Sequence, residues 1–346
     1  MVRGQGDTAL TGPKRVVCFG EILLRLAAPG RELMLQSARL DATFAGAEAN
    51  VAVALASFGH EARMASVLPD NALGRAALGE LRRHGVDTRG VSFGQGRMGL
   101  FFLTQGAVRR PSEVLYDRES SAFARDPAPA AINLDGADWF HVSGVTPALN
   151  PRTAEAAIAA ATAARARGVR VSFDGNYRSK LWESWRDQAP GILRRLFEQA
   201  DIVFGDDRDI ALVLGRTFDT TTAEARRAAA AQAAFQAFPN LGRIAATTRT
   251  AHAVDAQDYG AVMFTRQGVH NVASLALSGI VDRVGTGDAF AAGVIHGLLT
   301  DMGDSAALTF GHAAACLKHS IPGDFLTVRV ADVEAALKGD GLDVKR

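Results

Sequence analysis

Residues 281–293 read VDRVGTGDAFAAG, a turn with glycines at positions 285 and 287 that runs directly into small and apolar residues. Glycine lets a ligand approach the backbone closely, and the first amides of a helix are unpaired and lie at the positive end of its dipole. A helix that begins here can therefore bind phosphate oxygens. Asp288 in the first turn could accept a proton from an attacking hydroxyl. Alternatively, Asp288 could serve only as a helix cap. The local sequence does not distinguish a catalytic base from a cap.

The rest of the chain alternates short β-branched or aromatic runs with longer segments of helical periodicity, which is typical of β-α units around a parallel sheet. Predicted strands cover residues 16–19, 64–67, 139–142, 169–173, 202–204 and 244–247, and predicted helices cover 49–58, 72–84, 151–167, 222–238, 288–299 and 305–319. Residues 23–44 and 91–123 break the alternation with strand-like runs, so they predict a small β appendage. We expect residues 1–13 to form a disordered tail and residues 14–346 to form one α/β domain.

Composition excludes several classes of partner. The 346 residues carry 38 Lys+Arg against 37 Asp+Glu and no basic tract, so no nucleic-acid partner is expected. No apolar run is long enough to cross a membrane, and the first residues lack the apolar core of a signal peptide. Cys18 and Cys316 are far apart without metal-ligand spacing, which suits buried thiols in a reducing compartment. The sequence therefore predicts a cytoplasmic protein.

One motif match is misleading. Residues 94–99 read GQGRMG, a formal G-x-G-x-x-G fingerprint of dinucleotide-binding folds. That mechanism needs a helix to begin at the motif, whereas the strand-like run LFFLT follows it here. A dehydrogenase is therefore not expected, and the P-loop, H-E-x-x-H and G-x-S-x-G motifs do not occur.

Two segments resemble the signatures of ribokinase-like, PfkB-type carbohydrate kinases. The C-terminal signature D-T-x-G-A/T-G-D-x-F-x-x-G is matched at Asp282, Gly285, Gly287, Asp288, Phe290 and Gly293. Residues 45–52, AGAEANVA, resemble the N-terminal signature G-G-x-x-x-N-x-A, with Ala45 in place of the first glycine. The resemblance implies a three-layer α/β/α fold with a mostly parallel central sheet and a small β-sheet lid over the sugar. It also implies ATP with Mg²⁺, Asp288 as the base, and a γ-phosphate site at the amides of Gly285, Thr286, Gly287 and Asp288.

Three further segments resemble 2-keto-3-deoxygluconate kinases within that family: LYDRESSA at 115–122, FHVSG at 140–144 and DGNYRSKLW at 174–182. A sugar acid carries a carboxylate that suits the planar donor forks of Arg118 and Arg178. Each arginine alone would more commonly form a surface or structural ion pair. Arg25 stands where related kinases often have an aspartate, an exchange that an acidic substrate would tolerate. The predicted sugar-binding residues are Gly46, Asn50, Arg25, Phe101, Tyr116, Arg118, Ser143, Arg178 and Asp288.

The nucleotide side matches the family less closely. Its N-x-x-E motif falls at Asp206 and Asp209, which would contact Mg²⁺ through water. The predicted nucleotide-binding residues are Asp206, Thr247, Thr248, Arg249, Gly285 and Gly287. Asp282 matches a residue that helps to bind a monovalent cation in some relatives, but the usual threonine of that signature is absent, which argues against a potassium requirement.

The sequence thus predicts ATP-dependent phosphorylation of the terminal C6 hydroxyl of 2-keto-3-deoxygluconate, giving 2-keto-3-deoxy-6-phosphogluconate. Another sugar kinase of the same family, such as a fructokinase, is the nearest alternative. A non-catalytic sugar-acid-binding protein is an alternative of a different class. Exposed edges of the lid strands predict pairing of identical subunits.

Overall fold

The computed structural model describes residues 12–128 and 132–339, so the predicted disordered tail lies almost wholly outside the described residues. A nine-stranded sheet has the order β13-β12-β11-β10-β9-β8-β1-β4-β5, and a four-stranded sheet has the order β3-β2-β6-β7. Neighbours from β5 to β11 are parallel, whereas β11, β12 and β13 pair antiparallel. This is the predicted fold class, a mostly parallel sheet with a separate small sheet.

The large sheet contains β1 (Arg15–Phe19), β4 (Glu61–Pro69), β5 (Asp87–Gly94), β8 (Trp139–Ser143), β9 (Arg170–Asp174), β10 (Ile202–Phe204), β11 (Arg243–Ala253), β12 (Ala256–Thr265) and β13 (Val269–Ser278). The small sheet contains β2 (Leu23–Ala27), β3 (Asp41–Ala45), β6 (Gly99–Thr104) and β7 (Glu113–Asp117). The helices are α1 (Ala47–Ser57), α2 (Ala72–Arg83), α3 (Ala122–Arg125), α4 (Pro151–Ala166), α5 (Ala189–Phe197), α6 (Asp207–Leu214), α7 (Ala223–Ala237), α8 (Thr286–Leu299), α9 (Asp304–Lys318) and α10 (Val330–Lys338), with a 3-10 segment over Ser179–Gln188.

Helices cover both faces of the large sheet. One core cluster combines sheet residues with α1, α2, α8, α9 and α10, and the other combines them with α3 to α7. The small residues of α8 allow very close packing, since a Cβ on Gly293 would lie 2.6 Å from the Cα of Gly311 in α9. The same contact recurs one turn later, where a Cβ on Gly297 would lie 2.5 Å from the Cα of Ala307. The run of small residues therefore fixes α8 against α9 and holds its first turn in place.

Two expectations about local structure need correction. Residues 91–94 were assigned to the β appendage, but they belong to β5, which pairs with β4 in the large sheet. The antiparallel strands β12 and β13 were not predicted, because their mixture of polar and apolar residues has neither strict alternation nor helical spacing. The rejection of the dinucleotide motif is confirmed, since Gly94 ends β5 and Gly99 begins β6, with no helix between them. In the described part of the chain, no helix combines the length and apolar character that a bilayer crossing needs.

Candidate active site

A cleft of about 1490 Å³ lies between the small sheet and the carboxyl ends of the parallel strands. Open parallel sheets bind ligands at this edge, because the loops that follow the strands converge there. The four-stranded sheet contributes one wall through residues such as Phe101 and Tyr116, and the first turn of α8 contributes part of the opposite wall. The starts of α1 and α8, which contain the two signature segments, both line this cleft.

The turn before α8 has a backbone that only glycine fits. Gly285 has a φ of 81°, and a Cβ there would lie 2.1 Å from the carbonyl oxygen of Asp324. Gly287 has no neighbour within 4 Å of such a Cβ, so a side chain there would project into open space. No side chain caps the first turn of α8 within the described residues, and the amides of Gly287 and Asp288 have no hydrogen-bond partner there, which leaves them free to bind an anion. Thr286 is less free, since its amide and its hydroxyl both donate to the carbonyl oxygen of Arg283, at 3.4 Å and 2.9 Å.

Asp288 is held by a residue from the opposite end of the chain. The Nδ2 of Asn50, in the first turn of α1, donates to the Oδ2 of Asp288 at 2.6 Å. Burial raises the pKa of Asp288 to about 7, with the charge of Asp324 adding to the rise and Asn50 and Arg178 opposing it. A carboxyl group with a pKa near neutrality is suited to accept a proton in a reaction at cellular pH. The Oδ1 of Asn50 is buried and has no partner among the described residues, so it can accept a hydrogen bond from a ligand hydroxyl.

Gly46 brings the start of α1 close to the segment between β1 and β2. Its φ is 144°, and a Cβ there would lie 2.3 Å from the carbonyl oxygen of Glu21. Gly46, Ala47 and Asn50 all line the cleft. In the AGAEANVA segment, glycine at position 46 allows the backbone to pass close to Glu21, and the helix that follows places Asn50 beside Asp288.

Further acidic groups lie near Asp288. The most important is Asp174, for which the sequence predicts no role. Asp174 ends β9 and lines the cleft; burial raises its pKa well above the usual range, and the charges of Asp288 and Asp209 raise it further. Burial also raises the pKa of Asp209 to about 6. The available signal was the position of Asp174 at the carboxyl end of a strand, in the motif that contains Arg178. Asp174 and Asp209 both line the cleft and could contact a divalent cation such as Mg²⁺ through water. Among the described residues, no group of three or more His, Cys, Asp or Glu side chains could hold a metal ion directly.

The two aspartates predicted for the metal differ in how free they are. Asp206 caps α6, accepts a hydrogen bond from the amide of Arg208 at 2.8 Å and pairs with the guanidinium of Arg208. Asp209 accepts from the amide of Asp206 at 2.9 Å through Oδ2 and lines the cleft. Asp206 is therefore engaged by its own helix, and Asp209 together with Asp174 is the better candidate pair for metal-bound water.

Strand β11 presents alternate side chains to the cleft. Thr247 and Arg249 line it. Thr248 faces the other side of the strand, where its Oγ1 lies 2.8 Å from the position of a Cβ on Gly260. The expectation for Thr248 is therefore corrected, because its side chain does not line the cleft.

The predicted sugar-side residues divide into those that reach the cleft and those that do not. Arg118 lines the cleft while its Nε donates to the Oε2 of Glu21 at 2.7 Å, and Ser121 donates its hydroxyl to the other oxygen of Glu21. Arg178 also lines the cleft, is exposed, and bonds only the carbonyl oxygen of Tyr177 among the residues the structure covers, at 3.4 Å. Tyr116 lies beside Phe101 on the lid wall, with ring centroids 6.3 Å apart.

Two of the predicted sugar contacts are corrected. Arg25 is 4% exposed, and its guanidinium pairs with Asp282 and Asp324. These two residues line the cleft, but Arg25 does not. Ser143 is fully buried, and its hydroxyl accepts a hydrogen bond from Asn176 at 3.1 Å. Arg25 lies in the middle of β2 and Ser143 ends β8, and the side chains of both residues bond to neighbouring segments.

Comparison with known proteins places the chain among sugar kinases. Residues 13–324 match the model of the pfkB family carbohydrate kinases. A 2-dehydro-3-deoxygalactonokinase of Haloferax volcanii is 33% identical over 96% of this chain and 99% of its own length. The crystal structure of a 2-dehydro-3-deoxygluconokinase from Thermotoga maritima has a TM-score of 0.88 and 36% identity over 94% of this chain and 99% of that one. A probable fructokinase-3 of Arabidopsis thaliana is 27% identical over 84% of this chain and 80% of its own length.

Proposed function

Since the chain belongs to the pfkB family of carbohydrate kinases, we propose that it transfers the γ-phosphoryl group of ATP to the C6 hydroxyl of 2-keto-3-deoxygluconate. The product is 2-keto-3-deoxy-6-phosphogluconate. The observation that carries the choice of a sugar acid is that Arg118, Arg178 and Tyr116 face the cleft that contains Asp288. Two guanidinium groups suit a carboxylate. Arg118 already pairs with Glu21, whereas Arg178 has no carboxylate partner among the described residues, so a neutral sugar would leave Arg178 unpaired.

The proposed transfer needs one proton acceptor and one anion site. Asp288 accepts the proton of the C6 hydroxyl while the bond from that oxygen to the γ-phosphorus forms and the bond to the ADP oxygen breaks. The backbone amides in the first turn of α8 bind the equatorial oxygens of the phosphoryl group during its transfer. Asp174 and Asp209 would hold Mg²⁺ through its water ligands, and the ion would neutralise charge on the ATP phosphates.

Sugar recognition in this proposal uses both walls of the cleft. Arg118 keeps its orientation through Glu21, so its remaining donors are fixed toward the cleft before a ligand arrives. Arg178 comes from the loop after β9 and closes the carboxylate site from the other side. Asn50 orients the reacting hydroxyl, and Phe101 forms an apolar wall.

A coupled kinase assay on a panel of substrates tests this proposal. The panel contains 2-keto-3-deoxygluconate, its galactonate epimer, fructose and ribose. We expect kcat/KM for the keto acids to exceed that for the neutral sugars by roughly 100-fold, because a site built for a charged group rejects a ligand that lacks it. Better turnover of fructose would overturn the choice of substrate in favour of the fructokinase alternative, which the likeness to the Arabidopsis protein supports.

A matched pair of variants separates the arginine contribution from general surface charge. Arg178→Ala should raise KM for the keto acid by roughly 10-fold or more, since it removes a charge-assisted contact. Arg186→Ala is the control, because Arg186 is exposed in the adjacent 3-10 segment and does not line the cleft. Equal KM values for the two variants would remove Arg178 from the sugar-acid site.

A further inference from the structure

Four charged side chains form a buried cluster directly behind the turn that begins α8. Arg25 reaches from lid strand β2 to place Nη2 2.7 Å from the Oδ2 of Asp282 and Nη1 2.6 Å from the Oδ1 of Asp324. All three side chains are at most 5% exposed. Lys318 is fully buried nearby, but its Nζ donates to the carbonyl oxygen of Ile321 at 2.9 Å. Arg25 is thus the cation that makes direct contact with both carboxylates.

Asp282 lies just before the turn, and Asp324 lies in the segment that packs against it. The Oδ1 of Asp282 accepts from the amide of Val284 at 3.0 Å, and its Oδ2 accepts from the amide of Gly323 at 3.1 Å. The backbone of Asp324 packs against Gly285 closely enough to exclude a Cβ there. The guanidinium of Arg25 therefore links the segment before the turn, through Asp282, to the segment that packs against the turn, through Asp324.

The arrangement depends on a positive charge between the carboxylates. Two buried carboxylates that face the same point repel each other strongly unless a cation lies between them, because the surroundings screen them poorly. The fork of a guanidinium can bond two carboxylates at once with fixed geometry, whereas an ammonium group acts as a point charge. The negative charge of Asp324 also acts on Asp288, whose pKa it helps to raise. Removing Arg25 would therefore disturb both the turn and the base.

We propose that Arg25 is a positioning residue for phosphoryl transfer: its guanidinium is a built-in cation that holds the α8 turn in its anion-binding shape. It makes a monovalent metal ion unnecessary and ties that turn to the lid. The inference rests on the proposed role of the α8 amides in binding the transferred phosphoryl group. It does not depend on which sugar is phosphorylated. The proposal also gives a role in catalysis to an arginine that does not line the cleft.

The test compares Arg25→Ala with wild type in the presence of small cations. We expect Arg25→Ala to lower kcat by roughly 100-fold, as the loss of a preorganised anion-binding group does, with KM for the sugar changed by less than about 3-fold. Guanidinium chloride at non-denaturing concentration should restore at least about one tenth of the lost rate in a saturable manner, because it refills the cavity left by the side chain. Urea, which has a similar shape but no charge, and sodium chloride at equal ionic strength should not.

Controls keep the test decisive. Arg39→Ala removes an exposed arginine that pairs with Asp41 at the edge of the lid, and it should leave kcat unchanged. Wild-type turnover should be the same in sodium, potassium and tetramethylammonium salts, a measurement that needs no variant to fold. If Arg25→Ala is insoluble, Arg25→Lys keeps a charge without the fork and should still lose kcat with little change in sugar KM.

The proposal would be overturned by a folded Arg25→Ala variant with wild-type kcat, by equal rescue with urea, or by a several-fold activation of the wild type by potassium. Wild-type kcat in Arg25→Lys would also contradict it, because a point charge would then suffice. All measurements use the sugar that the wild type turns over best, so failure of the substrate proposal remains distinguishable from failure of this one.

Discussion

At the scale of single residues, the contact between Asn50 and Asp288 could be anticipated, because each lies in a short motif with a recognisable mechanism. The motifs place both residues in first helical turns, and the fold brings these together at 2.6 Å. Asp174 was overlooked because its altered pKa comes from burial and from the nearby Asp288, neither of which is visible in sequence spacing. The direction of Arg25 was missed for the same reason, since a long side chain takes its partners from the tertiary structure.

Replacement of the proposed base gives the first prediction. Asp288→Asn should lower kcat by roughly 1,000-fold, because an amide cannot accept the hydroxyl proton. The thermal midpoint at alkaline pH should be unchanged or higher, since the variant removes a buried charge. Single-turnover and steady-state kinetics with calorimetry measure both. The control is Asp70→Asn, which changes an exposed carboxylate paired with Arg75 and should keep the wild-type rate. If the rate of Asp288→Asn were within a few-fold of wild type, Asp288 would be excluded as the base.

The pH dependence follows from the same group. The pKa of Asp288 is raised to about 7, and the base must be deprotonated to act, so kcat/KM should fall with unit slope as the pH drops below about 7. The folded protein binds this proton more tightly than the unfolded chain, so the contribution of Asp288 to stability is lost as the pH rises through about 7. A pH-rate profile checks the first statement. A rate that is constant through this range would show that another group limits catalysis.

At the scale of elements, the strands and helices with clear periodicity were predicted to within a few residues at most ends. The β10 strand was predicted with its observed bounds, Ile202–Phe204. Strands β12 and β13 and the helices α5 and α6 were not predicted, because their patterns are short or mixed and their stability comes from packing on neighbouring elements. The small residues of α8 are visible in the sequence, but that they pack against α9 is known only from the tertiary structure.

The turn before α8 permits a paired prediction. Gly285→Ala must place a Cβ at positive φ and against the carbonyl oxygen of Asp324, so it should cost about 1–2 kcal/mol of unfolding free energy or more and also lower kcat. Gly287→Ala has space for its methyl group, so it should leave the unfolding free energy nearly unchanged while it lowers kcat by obstructing the anion site. Chemical denaturation and kinetics of both variants measure this. Equal stability losses would contradict the described geometry.

At the scale of the whole molecule, the site is assembled from segments that lie far apart in the chain. Glu21, after β1, binds Arg118 and Ser121 at the end of β7, so the large sheet and the lid share one buried ion pair. Arg25 forms a second link between the lid and the support of α8. Such links depend on where the lid rests on the sheet, which the sequence motifs alone did not determine.

These links lead to a prediction about ligand-induced stability. Because the two ligands occupy one cleft between the sheets, 2-keto-3-deoxygluconate and Mg-ADP should each raise the thermal midpoint, and together they should raise it further. Differential scanning calorimetry measures the three shifts. Stabilisation by the sugar acid with none by nucleotide would instead favour a non-catalytic sugar-acid-binding protein.

The central claim is that the cleft presents the C6 hydroxyl of a keto sugar acid to Asp288. Nuclear magnetic resonance of the product formed from ATP and 2-keto-3-deoxygluconate tests it most directly. We predict a new phosphorus resonance coupled to the two C6 protons, in one-to-one stoichiometry with ADP and absent with Asp288→Asn. Coupling to protons at another carbon, or formation of fructose phosphate at a higher rate under the same conditions, would contradict the account.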